Sequence, residues 1–307
     1  MSALREDGQA AVLSVLFLLT LMGMTALVLD VGSWFREDRR LQATADAAAL
    51  AGAQLLPENP GGAIDEALEY ANKNGGDVSP SDVDVQTRVL PNDTIAVTSR
   101  ATAPGFFSRL FGVAGVEVSG DAVARAAKVG KARWAAPIAV NEHHPMLQCV
   151  PPPCVGLATT LELANLNDPE SANASGSFGL LRLSKDPGSI STATIASWLR
   201  DGYDGLLGPG DYPAATGAKF NSAEFKAALG ERLNEELLFP VYRTVTGTGA
   251  TAVFEVVGWV GFVPTAFTGS GPSGTVSGQF TRLTWDAAEN DDPSAADFGV
   301  RTVLLVG

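Results

Sequence analysis

The sequence predicts an α+β chain: an N-terminal transmembrane helix drawn out into an Ala-rich stalk, a small α+β module, and a β-rich, mainly antiparallel domain. Three observations carry this. A run of 20 uncharged residues from Ala10 to Leu29 is long enough, at about 1.5 Å per residue, to cross a hydrocarbon core about 30 Å thick. An Ala-rich helical pattern, LQATADAAALAGAQLL, follows a charged knot at Arg36, Glu37, Asp38, Arg39 and Arg40. Beyond residue 78, Thr and Val become frequent among plentiful Gly and Pro, which suits strands joined by turns. The expected divisions are 1–56, 57–130 and 131–307.

The apolar run exceeds the 7–15 residues of a signal-peptide core, and bulky, charged Trp34-Phe35-Arg36 follows it in place of a small-x-small site. A retained anchor is the reading. Past the membrane, Leu41, Ala45, Ala48, Gly52 and Leu55 or Leu56 fall at helical spacing and form a stripe of small residues. Such a stripe lets a second helix approach closely. It suits either a stalk packed on its own domain or a bundling helix of an assembly. Pro57 and Pro60-Gly61 end the helix.

In the module, Ala63 to Asn74 reads as a short helix and Val83 to Ser99 as a hairpin turning at Pro91-Asn92-Asp93. PGFFSRLFG, from Pro104, reads as one or two helical turns closed by Gly112, and Val116 to Ala126 as a strand. In the last part, strands are expected at Ala135–Val140, Phe178–Leu183, Val241–Thr246, Ala252–Val263, Thr275–Trp285 and Val300–Val306. Helices are expected at Ile190–Asp201 and Ser222–Leu238, the latter with a Ser cap and Phe225, Leu229, Leu233 and Leu237 at helical spacing.

The charge of −13 lies almost wholly beyond residue 40. An acidic surface repels phosphate backbones, so nucleic acid is not an expected partner. The only cysteines, Cys149 and Cys154, bracket three prolines in CVPPPC. A disulfide closing a short loop is the favoured reading, which requires an oxidising compartment and sets the domain outside the cytoplasm. Flanking charge points the other way: only Arg5 precedes the span, while Arg36, Arg39 and Arg40 follow it.

Little else suggests chemistry. Adjacent His143 and His144 point to opposite faces of a strand, though a zinc site with both cysteines stays open. Gly269 to Gly274 spells G-x-G-x-x-G, but a strand follows it, so it reads as a hairpin loop. Asp286, Glu289, Asn290, Asp291 and Asp292 lack EF-hand spacing and read as a solvated loop. No G-x-S-x-G elbow is present. No cofactor, metal or small-molecule substrate is expected.

Certain landmarks go beyond hydrophobicity: Gly8-Gln9, the span, Asp30-x-Gly32, Leu41-Gln42, then Asp46-Ala47-Ala48-Ala49-Leu50-Ala51. Over residues 8–56 they resemble the Tad-like (TadE/TadG-like) family of pilus-assembly proteins. The resemblance implies a bacterial, membrane-anchored accessory or minor-pilin-like component of Flp-type pilus machinery, with an extracytoplasmic C-terminal domain. Its expected partners are the lipid bilayer and other pilus-assembly or pilin-like proteins. Type IV-like pilins carry Glu five residues after the processing Gly; that place here is Leu13, which argues against processing into a filament subunit. The leading expectation is a non-enzymatic envelope protein. The alternatives are a membrane-tethered hydrolase or metal-binding enzyme using His143 or His144, and a secreted adhesin.

Overall fold

The computed structural model describes residues 7–76, 78–186, 189–285, 287–290, 292 and 294–306. The chain forms two compact units: one of residues up to Arg125 together with the C-terminal residues from Leu304, the other Ala126–Val303. The fold is α+β, with one long apolar helix and a mainly antiparallel β-rich unit.

The first unit begins with α1 (Asp7–Ala53), a continuous 47-residue helix. Between Val12 and Leu29 its large apolar side chains are exposed, Leu13 at 66% and Phe17 at 66% among them. From Leu41 onward one face is buried: Leu41, Ala45, Ala48 and Ala49 are fully inaccessible. Covering that face are α2 (Pro60–Lys73) and β2 (Thr94–Pro104), the middle strand of an antiparallel set with β1 (Val83–Gln86) and β3 (Gly115–Ala132). Pro60 does not merely stop α1; it opens α2, because its missing N–H is one the first turn leaves unpaired anyway, and Asn59 caps the Gly62 amide at 3.0 Å. Ala63, Ala67 and Ala71 give α2 a smooth face fully buried in the unit. The β1–β2 connection is pinned by Asp93, whose carboxylate accepts from the Arg88, Val89 and Leu90 amides at 2.9 Å each.

The expected stalk therefore does not stand apart as residues 1–56: its helix is the packing partner of the module that follows. Leu56, at 1% exposure, carries the end of the buried stripe, whereas Leu55 is exposed at 36%. Of the two leucines at the end of the stripe, Leu55 is therefore not the packing residue, since the chain leaves the helix after Ala53 and the last positions rotate off its face.

The second unit contains β4 (Ile138–Asn141), β5 (Ala158–Leu163), the one-turn α3 (Pro169–Ala172), β6 (Ser177–Leu181), α4 (Thr192–Asp201), β7 (Gly210–Ala215), α5 (Ala223–Glu231), β8 (Leu237–Thr246), β9 (Val253–Ser270) and β10 (Ser273–Thr281). Pairing runs β10-β5-β6-β4-β8-β9, and β9 pairs back onto β10, so the strands close on themselves and hide their edges. Parallel pairs among the described residues include β4–β8 and β5–β6. Phe178, Phe220, Phe225, Phe239, Phe262 and Phe280 fill one side of the core with α4 and α5. The shorter β11 (Leu283–Thr284), β12 (Ala287–Asn290), β13 (Ala296–Asp297) and β14 (Val300–Leu305) complete the chain.

The expected helix Ser222–Leu238 stops at Glu231. Asn234 takes a left-handed φ of 64°, and Leu237 opens a strand whose first six residues are buried. The glycine-rich 269–274 stretch is the β9–β10 turn, with Gly271 at φ 58°.

Candidate functional site

A dense polar construction on the first unit lies where α1 leaves its apolar run. Asp30, 1% exposed, directs its carboxylate at the loop after β2. Oδ1 accepts from the Phe106 amide at 2.9 Å and Oδ2 from the Ser108 amide at 2.6 Å, with Phe107 shared between the two oxygens. One residue thus satisfies three consecutive amides that the tight turn would leave unpaired. Trp34, one turn later, donates its indole N–H to Pro104 O at 3.3 Å. The loop continues as a single 3-10 turn, Ser108–Phe111, closed by Gly112 at φ 85°; the expected one- to two-turn α-helix is this shorter element.

The other landmark residues fall on the same helix. The Gln42 side-chain amide donates to Asp46 Oδ1 at 2.8 Å and to the Asp121 carbonyl of β3 at 3.0 Å. A Cβ on Gly120 would lie 2.4 Å from the Gln42 nitrogen and 2.5 Å from the Leu41 carbonyl carbon, so helix backbone meets strand backbone directly. Gly52 is similarly confined, with Ala63 O and Ile95 Cδ1 each at 2.7 Å from its built Cβ. Ala48 and Ala49 are buried and Ala47 half-buried. Gly32 meets nothing within 4 Å, so packing in this chain does not explain it. Gly8 and Gln9 lie in the first turn of α1; their side chains are outside the described residues. Past the apolar run, Arg40 pairs with Glu37 at 2.5 Å and also reaches the Gly75 carbonyl; its hydrogen bond holds the Glu37 carboxyl below the usual range.

In the second unit, Cys149 and Cys154 are bonded to each other with Cα atoms 5.3 Å apart. His144 is buried. Its Nδ1 accepts from the Met146 amide at 3.0 Å, its Nε2 meets Thr159 Oγ1 at 3.2 Å, and its ring packs edge-on against Phe280. Burial pushes its imidazole below the ordinary value, favouring the neutral form. His143 is exposed, with Asn141 Oδ1 3.3 Å from its Nδ1. The two histidines thus form no shared centre, and both cysteine sulfurs are spent on each other. Among the described residues no group of three His, Cys, Asp or Glu is placed to hold a metal. Asp286 and Asp291 of the acidic stretch lie outside the described residues.

The geometry defines a class: a helix long and apolar enough to cross a membrane, fastened by Asp30 and Gln42 to a small α+β unit. Residues 8–55 match the Tad family, described as "Putative Flp pilus-assembly TadE/G-like". No curated protein and no solved structure matches the chain. The match covers the apolar helix and its buried extension, and it supports involvement in Flp pilus assembly.

Proposed function

We propose that this chain is a non-enzymatic, membrane-anchored component of an Flp-type pilus-assembly apparatus, accessory or minor-pilin-like, with its β-rich unit outside the cytoplasm. The observation that carries the reading is the family match over 8–55, whose polar landmarks serve as fasteners between the membrane helix and the unit beside it. The Cys149–Cys154 bond supports an oxidising location for the second unit. The task assigned to the chain is placement: α1 fixes it at the membrane and the β-rich unit presents a surface to pilin-like or assembly proteins. The small-residue stripe takes a different part from the one a bundling helix would give it, because the chain's own α2 and β2 cover it.

The test is genetic. In bacteria that assemble such pili, removing the chain should strip filaments from the surface. The full chain should restore them. Normal piliation in the deletion strain would overturn the proposal.

A further inference from the structure

The loop fastened by Asp30 carries side chains that a water-facing turn does not need. Leu110 is 90% exposed, Phe111 83% and Phe106 66%, with Phe107 and Val113 beside them. A contiguous apolar patch of this kind marks an interaction surface. The loop is held in shape: Asp30 takes three of its amides, Gly105 N donates to Ala114 O at 3.0 Å, and Ser108 Oγ donates to Val113 O at 3.0 Å. Phe107 and Phe111 line one crevice with Gly23, Ala26, Leu27 and Trp34. Gly23 lies about 10 Å before Asp30 along the helix axis, two turns inside the apolar run.

We propose that residues 105–113 form a second membrane contact, an aromatic wedge set into the outer part of the same leaflet that α1 exits. The occupant of the patch is lipid. Its apolar side chains are continuous with the exposed face of the span, and they lie level with residues that the bilayer itself must cover. A depth of about 5–10 Å is that of interfacial segments, which place aromatic and Leu side chains among acyl chains. Trp34, one turn past Asp30, sits where an interfacial Trp belongs, at headgroup level. With two attachments, the rotation of α1 about its axis and the height of the first unit above the membrane are both fixed.

This rests on α1 being an anchor, and the experiment separates the two. The full chain is labelled with an environment-sensitive fluorophore at Leu110→Cys, at Leu19→Cys in the span, or at Glu170→Cys on the exposed surface of the second unit. Labelling leaves the native disulfide oxidised. Each protein is reconstituted in phosphatidylcholine–phosphatidylglycerol vesicles containing acyl-chain nitroxide lipid. Leu110 is almost wholly exposed, so its replacement leaves the fold alone. The expected result is a blue-shifted label at position 110, quenched by nitroxide lipid and shielded from iodide, as at position 19 and unlike position 170. Iodide quenching at 110 with lipid quenching at 19 would place the loop in water and overturn the proposal. Shielding from both quenchers that grows with protein-to-lipid ratio would put a second copy on the patch, which also overturns it. Iodide quenching at 19 would remove the anchor and the wedge together.

Discussion

Asp30 shows how much one charged residue at the end of an apolar run can organise. Its carboxylate fixes a turn more than seventy residues away in sequence, by hydrogen bonds to consecutive amides. The position of Asp30 was legible as a landmark; its partner was not, because nothing local in GFFSRLFG announces that its amides are short of acceptors. His144 is the converse. Its presence beside His143 invites a catalytic or metal reading, and only the fold reveals both ring nitrogens occupied by Met146 and Thr159. The consequence is a pH dependence. The folded protein holds His144 below its ordinary 6.5, so it binds the proton more weakly than the unfolded chain does. Stability from this group is fully present above 6.5 and declines as pH falls below it. A denaturation series should show a loss approaching at most about 1.4 kcal/mol per pH unit, which His144→Gln removes. Asp93 adds a second loss at lower pH. Burial alone would raise its carboxyl, but bonds from the Leu90, Arg88 and Val89 amides and the Thr94 hydroxyl outweigh burial and hold it below 3.8. Folding stability from Asp93 is therefore present above 3.8 and lost as acidity increases.

Among the elements, α1 was the most legible, since an apolar run and a small-residue stripe share one helical period without a break. The stripe alone did not identify what covers it: alanines suit a partner helix and a sheet equally. The fold supplies α2 and β2 as its cover, and at its start Gly120 of β3, a strand glycine, lets Leu41 and Gln42 rest on bare backbone. Gly120→Ala puts a methyl group where helix backbone already stands. Neither side is a flexible side chain that can swing away, so overpacking of about 1–3 kcal/mol is expected, read as a lower thermal midpoint of the detergent-solubilised protein. An unchanged midpoint would mean that the helix does not seat on β3. Errors in the second unit have physical causes too. α5 was read too long because Leu233 and Leu237 kept the helical period past the left-handed Asn234. β5 and β7 were missed: β7 contains Pro213 and small residues, and its pairing with β9 supplies an order that propensity does not.

For the molecule, composition and the N-terminal landmarks carried the class, an α+β protein with a helix able to span a membrane and a match to pilus-assembly proteins, because a long apolar run and a polar fingerprint are both local signals. The closure of the β-rich unit was not legible, since β10 pairs with both β5 and β9 and strand partners distant in sequence leave no mark in either segment. Topology across the membrane is where two physical arguments oppose one another: arginines after the span favour the cytoplasm, and the Cys149–Cys154 bond favours the outside. Long domains translocate largely regardless of flanking charge, so the proposed placement outside the cytoplasm follows the disulfide rather than the arginines. Protease treatment of intact spheroplasts, followed by membrane fractionation, tests that choice most directly. The account predicts that the domain is digested from outside, leaving a short membrane-bound N-terminal fragment. A domain protected until lysis would lie in the cytoplasm and would contradict both the envelope role and the oxidising location of its cysteines.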